Sequence, residues 1–245
     1  MTGQLDQYAT EIGLWQGIFE KYGIDLQTTE FVAGINTIDA VVNGTADIGM
    51  MADYAAVNRL GNTLDATNLQ IFSQISGGQS ALSGGLYVDP KYADDPKSLD
   101  GSAGFMYQEG TVTYYYASKC IEYLGLDESK QNLINTDSSQ TRLALIQKGG
   151  ASAVYANGSD EIYGKAEVTS TGWVQVATSQ EIGIQTGSYF LSTDKYISEN
   201  TDTLAKFLQA VDESTQYIND HLDESAEYLA DKLGLKAEDF KENWK

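Results

Sequence analysis

Residues Phe31 to Leu60, FVAGINTIDAVVNGTADIGMMADYAAVNRL, read in order as turn, helix, glycine stop, short strand, turn and helix. Asn36 stands three residues before Asp39 at the head of an apolar series, Ile35, Ile38, Val41 and Val42, spaced for one helix face. Gly44 closes that helix. A strand follows over Asp47 to Met51, and Asp53 then offers a side chain to cap a second helix running through Ala55, Ala56 and Val57 to Leu60, with Gly61 as its stop. Two helix N-termini at neighbouring strand ends place backbone N–H groups where a small ligand binds in open α/β sheets.

Outward from this stretch, 245 residues suffice for one large domain or two lobes, and two lobes are expected. The chain is 42% hydrophobic and only 20% charged, which describes a packed protein rather than a disordered one. No apolar run reaches the roughly 18 residues of a membrane span. A formal charge of −20 argues against nucleic acid or an anionic membrane as direct partner. Cys120 is the single cysteine, so no disulfide framework or cysteine metal site can form, and its place beside Ala117, Ile121 and Leu124 on one helical face predicts a packed thiol. Met1-Thr2-Gly3-Gln4 is polar from the start, which fits a cytosolic chain or one whose leader has been removed.

Tyr8, Ile12, Trp15, Phe19 and Tyr22 keep a helical rhythm from Leu5 to Gly23, and Ile24 to Phe31 alternates as a strand does at its start. A second alternating strand runs from Leu69 to Ile75. The glycine and serine cluster Gly77 to Gly85 then reads as a hinge, with many backbone states open to it. Leu86-Tyr87-Val88 begins a second half. In it, strands near Ala103–Tyr107, Asn132–Ile134 and Ser152–Tyr155 alternate with helices from Thr111 to Gly125 and through Leu143, Leu145 and Ile146, the order of a parallel α/β sheet. After a strand over Gly172 to Val176, the glycine-rich segment Glu181 to Leu191 carries the chain back, and Thr201 to Trp244 is helical. The boundaries are therefore 1–84 for the first lobe, 85–186 for the second, and 187–245 for the return and closing helices. The halves echo each other: Glu20–Asp25 matches Glu122–Asp127, and Val42–Ile48 matches Gln147–Val154.

This order of motifs resembles the solute-binding proteins of ABC importers in the nitrate, sulfonate and taurine group, also called NMT1/THI5-like. Gly13-Leu14-Trp15 with Phe19 to Leu26 is similar to the family's GLF-x-K-x-GLDV, and Ile38 to Gly49 to its AL-x-G-x-x-DIG. Pro96 to Gly101 resembles its S-x-x-DLKGK, and Ala205–Ala210 with Glu224–Ala230 its closing helices. The resemblance covers nearly the whole chain. It implies a type II periplasmic-binding-protein fold, two α/β lobes joined by a two-crossing hinge. It also implies a monomer outside the cytoplasm, in the periplasm or lipid-anchored at the cell surface, that hands a small molecule to a membrane permease without cofactor or covalent chemistry.

Resemblance and local reading together place a cleft at the strand-end turns. Its candidate residues are Gln4, Gly34, Asn36, Asp53, Tyr54 and Gln79 from the first lobe, then Gln108, Thr111, Thr113, Asp137, Ser138, Tyr155 and Asn157 from the second, and Tyr189 at the return. Plain capping explains Asn36, Asp53, Thr111 and Ser138 without any ligand. These turns carry no Lys or Arg, and Arg59 and Arg142 both fall within helices. With Asp53, Glu109, Asp137 and tyrosines in reach, a neutral or cationic heterocycle or amine is favoured over an oxyanion. Enzyme signals are thin. His221 is the only histidine, among acidic residues on a C-terminal helix. Gly158 to Lys165 misses the phosphate-loop spacing by one residue. The family's thiamin-pyrimidine branch is marked by CCCFC, which one cysteine cannot supply. An enzyme on this fold and a ligand-sensing domain are the two alternatives.

Overall fold

A computed structural model describes residues 7–31, 34–61, 68–77, 84–102, 104–109, 111–156, 164–234 and 236–244. In chain order its elements are α1 (Tyr8–Trp15), α2 (Ile18–Lys21), α3 (Gly34–Val42), β1 (Gly49–Ala52), α4 (Asp53–Gly61), β2 (Leu69–Gly77), β3 (Gly85–Val88), β4 (Phe105–Tyr107), α5 (Val112–Leu124) and β5 (Leu133–Asn135). They continue with α6 (Ser139–Gln147), β6 (Ala153–Ala156), α7 (Lys165–Ser170), β7 (Val174–Thr178), α8 (Ser179–Ile182), β8 (Gly187–Thr193), α9 (Asp194–Glu199), α10 (Thr201–Asp220), α11 (Leu222–Leu233) and α12 (Ala237–Asn243). The chain divides into two compact units, one of Met1–Ser76 with Gly187–Lys245 and one of Gly77–Thr186.

Among the described residues, the first unit holds a sheet of order β1-β8-β2. Side-chain alternation decides what each face covers. Met50, Phe72 and Phe190 join α1, α10, α11 and α12 through Ile12, Phe207, Leu229 and Phe240. The intervening Met51, Tyr189 and Leu191 face α3 and α4 through Ile38, Val41 and Ala56. The second unit repeats the principle on a sheet of order β5-β4-β6-β3-β7. Leu86, Val88, Phe105, Ala153 and Tyr155 pack on α5, whereas Tyr87, Met106, Val154 and Ala156 pack on the α6 and α7 side with Ile146, Val168 and Trp173. Cys120 is wholly buried in the α5 layer, and burial pushes its thiol pKa up, as packing rather than reactivity requires.

Several expectations change. The helix expected up to Tyr22 breaks into α1 and α2 because Gly17 is left-handed, at φ 67°. Ile24 to Phe31 forms no ladder among the described residues; Ile24 and Leu26 instead pack, partly buried, against the first core. The second unit's sheet is mixed rather than parallel: β3, which begins after a crossing, runs antiparallel to β6 and β7, while β4 is parallel to β5 and β6. In the first unit β8, which also begins after a crossing, runs antiparallel to β1. The closing helical run is interrupted at His221, at φ −132° and ψ 47°, whose ring stacks on Tyr217 at 4.4 Å. The echo between halves is a repeated helix stop. Gly23 and Gly125, at φ 75° and 71°, each donate to the carbonyl three residues back, and the following Ile24 and Leu126 to the one five back.

Glu11 is 4% exposed on α1, and burial raises its carboxyl pKa above 4.5 despite the attraction of Lys232 and with the opposition of Glu30. A folded state that holds this proton more tightly is favoured below pH 4.5 and loses that advantage as pH rises through the raised value. Glu11→Gln is therefore expected to melt higher than the parent at pH 7 and equally at pH 4. Melting curves at the two pH values check this, and a lower melting point at pH 7 would show that the Lys232 attraction outweighs burial.

Candidate functional site

The stretch Phe31–Leu60 folds as a cross-braced unit. At Gly34 a Cβ would sit 3.0 Å from the Met51 Cβ and 3.6 Å from the Ala55 Cβ, so the start of α3 lies against both β1 and the first turn of α4. The buried Thr37 hydroxyl lies 2.8 Å from the Gly34 carbonyl and 2.7 Å from that of Met50, tying helix to strand. Arg59 Nε meets Asp39 Oδ1 at 2.7 Å and ties α3 to α4. Asp53, the first residue of α4, accepts the Tyr54 N–H on Oδ1 at 2.7 Å and the Gly187 N–H on Oδ2 at 3.0 Å. Tyr189 lies across the ladder from Met51, and its hydroxyl stands where a side chain on Gly187 would begin. Gly34, Asp53, Tyr54 and Tyr189 thus gather at the end of β1. Asn36 is exposed and opens instead onto a groove of about 490 Å³ along α3, lined also by Glu30, Phe31, Asp39, Asn43 and Thr45.

In the second unit, three parallel strands finish at one edge. Tyr107 is level with Asn135, and the Tyr107 carbonyl receives both the N–H of Thr136 at 2.7 Å and its hydroxyl at 3.0 Å, which sets the turns after β4 and β5 side by side. Asn135 Oδ1 receives the Glu109 N–H at 3.0 Å across them. The Thr111 and Thr113 hydroxyls lie 2.8 Å apart and both close on the backbone of Gln108, so their polar capacity serves the turn. Ser138 caps α6 by accepting the Thr141 N–H, and the exposed Asp137 receives the Thr141 hydroxyl at 3.3 Å. Glu109, Asn135 and Asp137 are exposed at this edge, and Gln108 is half-buried.

Tyr155 is placed differently from the expectation. It is 3% exposed, its ring packs 4.2 Å from that of Tyr116, its hydroxyl meets Ser179 Oγ at 2.8 Å, and burial raises its pKa. Its place on β6 turns it into the α5 layer. Gln4, Gln79 and Asn157, with the crossing 78–83 and most of Gly158–Lys165, lie outside the described residues. A second pocket of about 420 Å³, lined by Asp89, Leu143, Gln147, Ser170 and Trp173, holds none of the expected residues. It opens beyond the end of β3, which runs against β6, and so at the opposite edge from the turns.

Sequence reasoning missed three residues. Arg142 is 0% exposed one turn into α6, a buried guanidinium that helical spacing alone does not announce. Gly187 donates its N–H to Asp53, and the Ser179 hydroxyl donates to the Gly84 carbonyl. Of these, Ser179 was findable, since Thr178 to Glu181 forms a capping box readable as T-x-x-E. Among the described residues no three His, Cys, Asp or Glu side chains gather as a metal site, and no helix is long and apolar enough to cross a membrane.

Solved structures share this architecture. The periplasmic aliphatic sulphonate binding protein SsuA from Escherichia coli aligns with a TM-score of 0.79 and 18% identity over 98% of this chain and 79% of its own. The alkanesulfonate-binding SsuA from Xanthomonas axonopodis pv. citri, bound to MOPS, gives 0.73 and 15% over 99% and 81%. The nitrate-binding protein NrtA from Synechocystis PCC 6803 gives 0.67 and 16% over 97% and 66%. At these identities the likeness establishes the periplasmic-binding-protein fold. No curated protein sequence matches significantly. The sequence model described as NMT1/THI5 like matches residues 12–225, nearly the full length, and on that match the chain belongs to the NMT1/THI5-like family.

Proposed function

We propose that this chain is an extracytoplasmic solute-binding protein, acting as a monomer, which captures a small organic molecule on the strand-end turns of its lobes and delivers it to the permease of an ABC importer. The observation that carries the reading is the edge where β4, β5 and β6 end together, because ligands of open α/β sheets bind outside the carboxyl ends of parallel strands. Family membership and the periplasmic relatives of similar fold support it. No covalent step is part of the proposal.

The turns offer Asp53, Glu109 and Asp137 with Tyr54 and Tyr107, a set suited to a neutral or cationic heterocycle or amine. One observation favours a second reading. Arg142 brings a buried positive charge to the first turns of α6, just after Asp137 and Ser138, as an oxyanion ligand would ask. The solved relatives named for sulfonate and nitrate lean the same way.

A thermal-shift screen of amines, pyrimidines, thiamin-like compounds, sulfonates and nitrate separates the two. A ligand at 100 times its Kd adds about 2.7 kcal/mol, roughly 5–10 °C for a chain of this size. Shifts confined to amines and heterocycles are expected. Shifts confined to sulfonates or nitrate would overturn the ligand class but keep the binding role. Turnover of a bound metabolite would replace that role with an enzyme.

A further inference from the structure

The β1–β8 ladder pairs Gly49 with Leu191 and ends where Ala52 faces Ser188. One step further the partners would be Asp53 and Gly187, but Asp53 has already turned into α4. Its carboxylate takes over the role of a ladder carbonyl and accepts the Gly187 N–H at 3.0 Å, across 134 residues of sequence. Gly187 is also the first residue of the returning segment of the first unit.

The second unit does the same at its own crossing strand. The β3–β7 ladder begins where Gly85 faces Thr178. One step beyond, Ser179 opens α8, and the Gly84 carbonyl receives both its N–H at 3.0 Å and its hydroxyl at 2.6 Å. The Tyr155 hydroxyl, 2.8 Å from Ser179 Oγ, completes a buried chain of three polar groups. In both units the first residue of a helix extends a ladder by one rung, at the point where the chain arrives from the other unit.

From this geometry we infer that Asp53 and Ser179, the latter braced by Tyr155, are positioning residues that pin the two crossing strands where they begin, at Gly187 and at Gly84 just before β3. Ile184 is wholly buried in the second unit and Gly187 is held by Asp53 in the first. Between these two anchors the return crossing comprises Gln185 and Thr186. The pinning stands without any ligand; its use in capture rests on the solute-binding reading above.

Amide hydrogen exchange, followed by NMR on the whole unliganded chain, tests the pinning independently of that reading. Asp53→Ala is expected to speed exchange at Gly187 at least about tenfold while Leu191, deep in the same strand, keeps its protection. Asp53→Asn, which retains one acceptor oxygen, is expected to stay near the parent rate at Gly187. Ser179→Ala is expected to leave Gly187 unchanged and to speed exchange at Gly85, because the Gly84 carbonyl then keeps only the N–H of residue 179. An unchanged Gly187 rate in Asp53→Ala overturns the inference. Equal acceleration throughout β8 overturns it too, since Asp53 would then be supporting the lobe in general. If Asp53→Ala does not fold, Asp53→Leu, of similar shape but with no acceptor, decides: faster exchange at Gly187 with Leu191 still protected supports the inference, and an unchanged Gly187 rate refutes it.

Discussion

Phe190→Ala is expected to destabilise the first unit by about 3–5 kcal/mol, the range for removing a buried phenylalanine ring. Phe190 is 4% exposed, lies across the ladder from Met50, stacks on Phe72 at 6.0 Å and meets Phe207 edge-on at 5.0 Å. It therefore joins β1, β2 and α10 to the central strand of the sheet. The cavity left by the ring cannot close by a rotamer change alone, because strands border it on one side and helices on the other. Urea unfolding read through first-unit probes should show the loss, with second-unit amides keeping their protection. A cost below about 1 kcal/mol would mean that this core packs differently. Since Gly187 and Tyr189 belong to the same strand, the variant is also expected to bind ligand less tightly wherever it remains folded.

Gly85→Ala should cost about 3 kcal/mol, at the upper end for overpacking, although it adds a single methyl group. The new Cβ would stand 2.2 Å from the Ala177 carbonyl oxygen and 2.3 Å from Gln175 Nε2. Gly85 is laddered on one side to Ala156 and on the other to Thr178, so the backbone it strikes has little room to retreat. Gly61→Ala is the control. Nothing lies within 4 Å of its would-be Cβ, and a change within about 0.5 kcal/mol is expected. Chemical denaturation of both variants measures the contrast, and equal stabilities would remove the close approach at β3.

The same comparison shows how much the sequence revealed. Glycines 77 to 85 read as a hinge because glycine is permissive, yet Gly84 and Gly85 are there because Ala156 and Ala177 leave no room for a side chain. One-dimensional reading cannot separate these causes, since freedom and crowding select the same residue. Likewise Tyr155 read as a tyrosine at a strand end and Arg142 as one more helical arginine. Which face of the sheet or helix each occupies depends on neighbours brought from elsewhere in the chain.

Local signals determined the rest. The order α3, β1, α4 follows from apolar spacing, Gly44 and Asp53; the Thr111 and Ser138 caps and the Gly125 stop came out in their expected places; and the motif order led to the family whose model matches residues 12–225. These are interactions over a few residues, and their chemistry is written into the residue types. Tertiary structure alone decided the antiparallel entry of β3 and β8, the burial of Arg142, and the second partner of Asp53. Each depends on strands that lie far apart in the chain, or on a face that only packing selects. Asp53 shows the division most plainly: sequence made it a helix cap, and only the arrival of Gly187 beside it made it the anchor of a crossing.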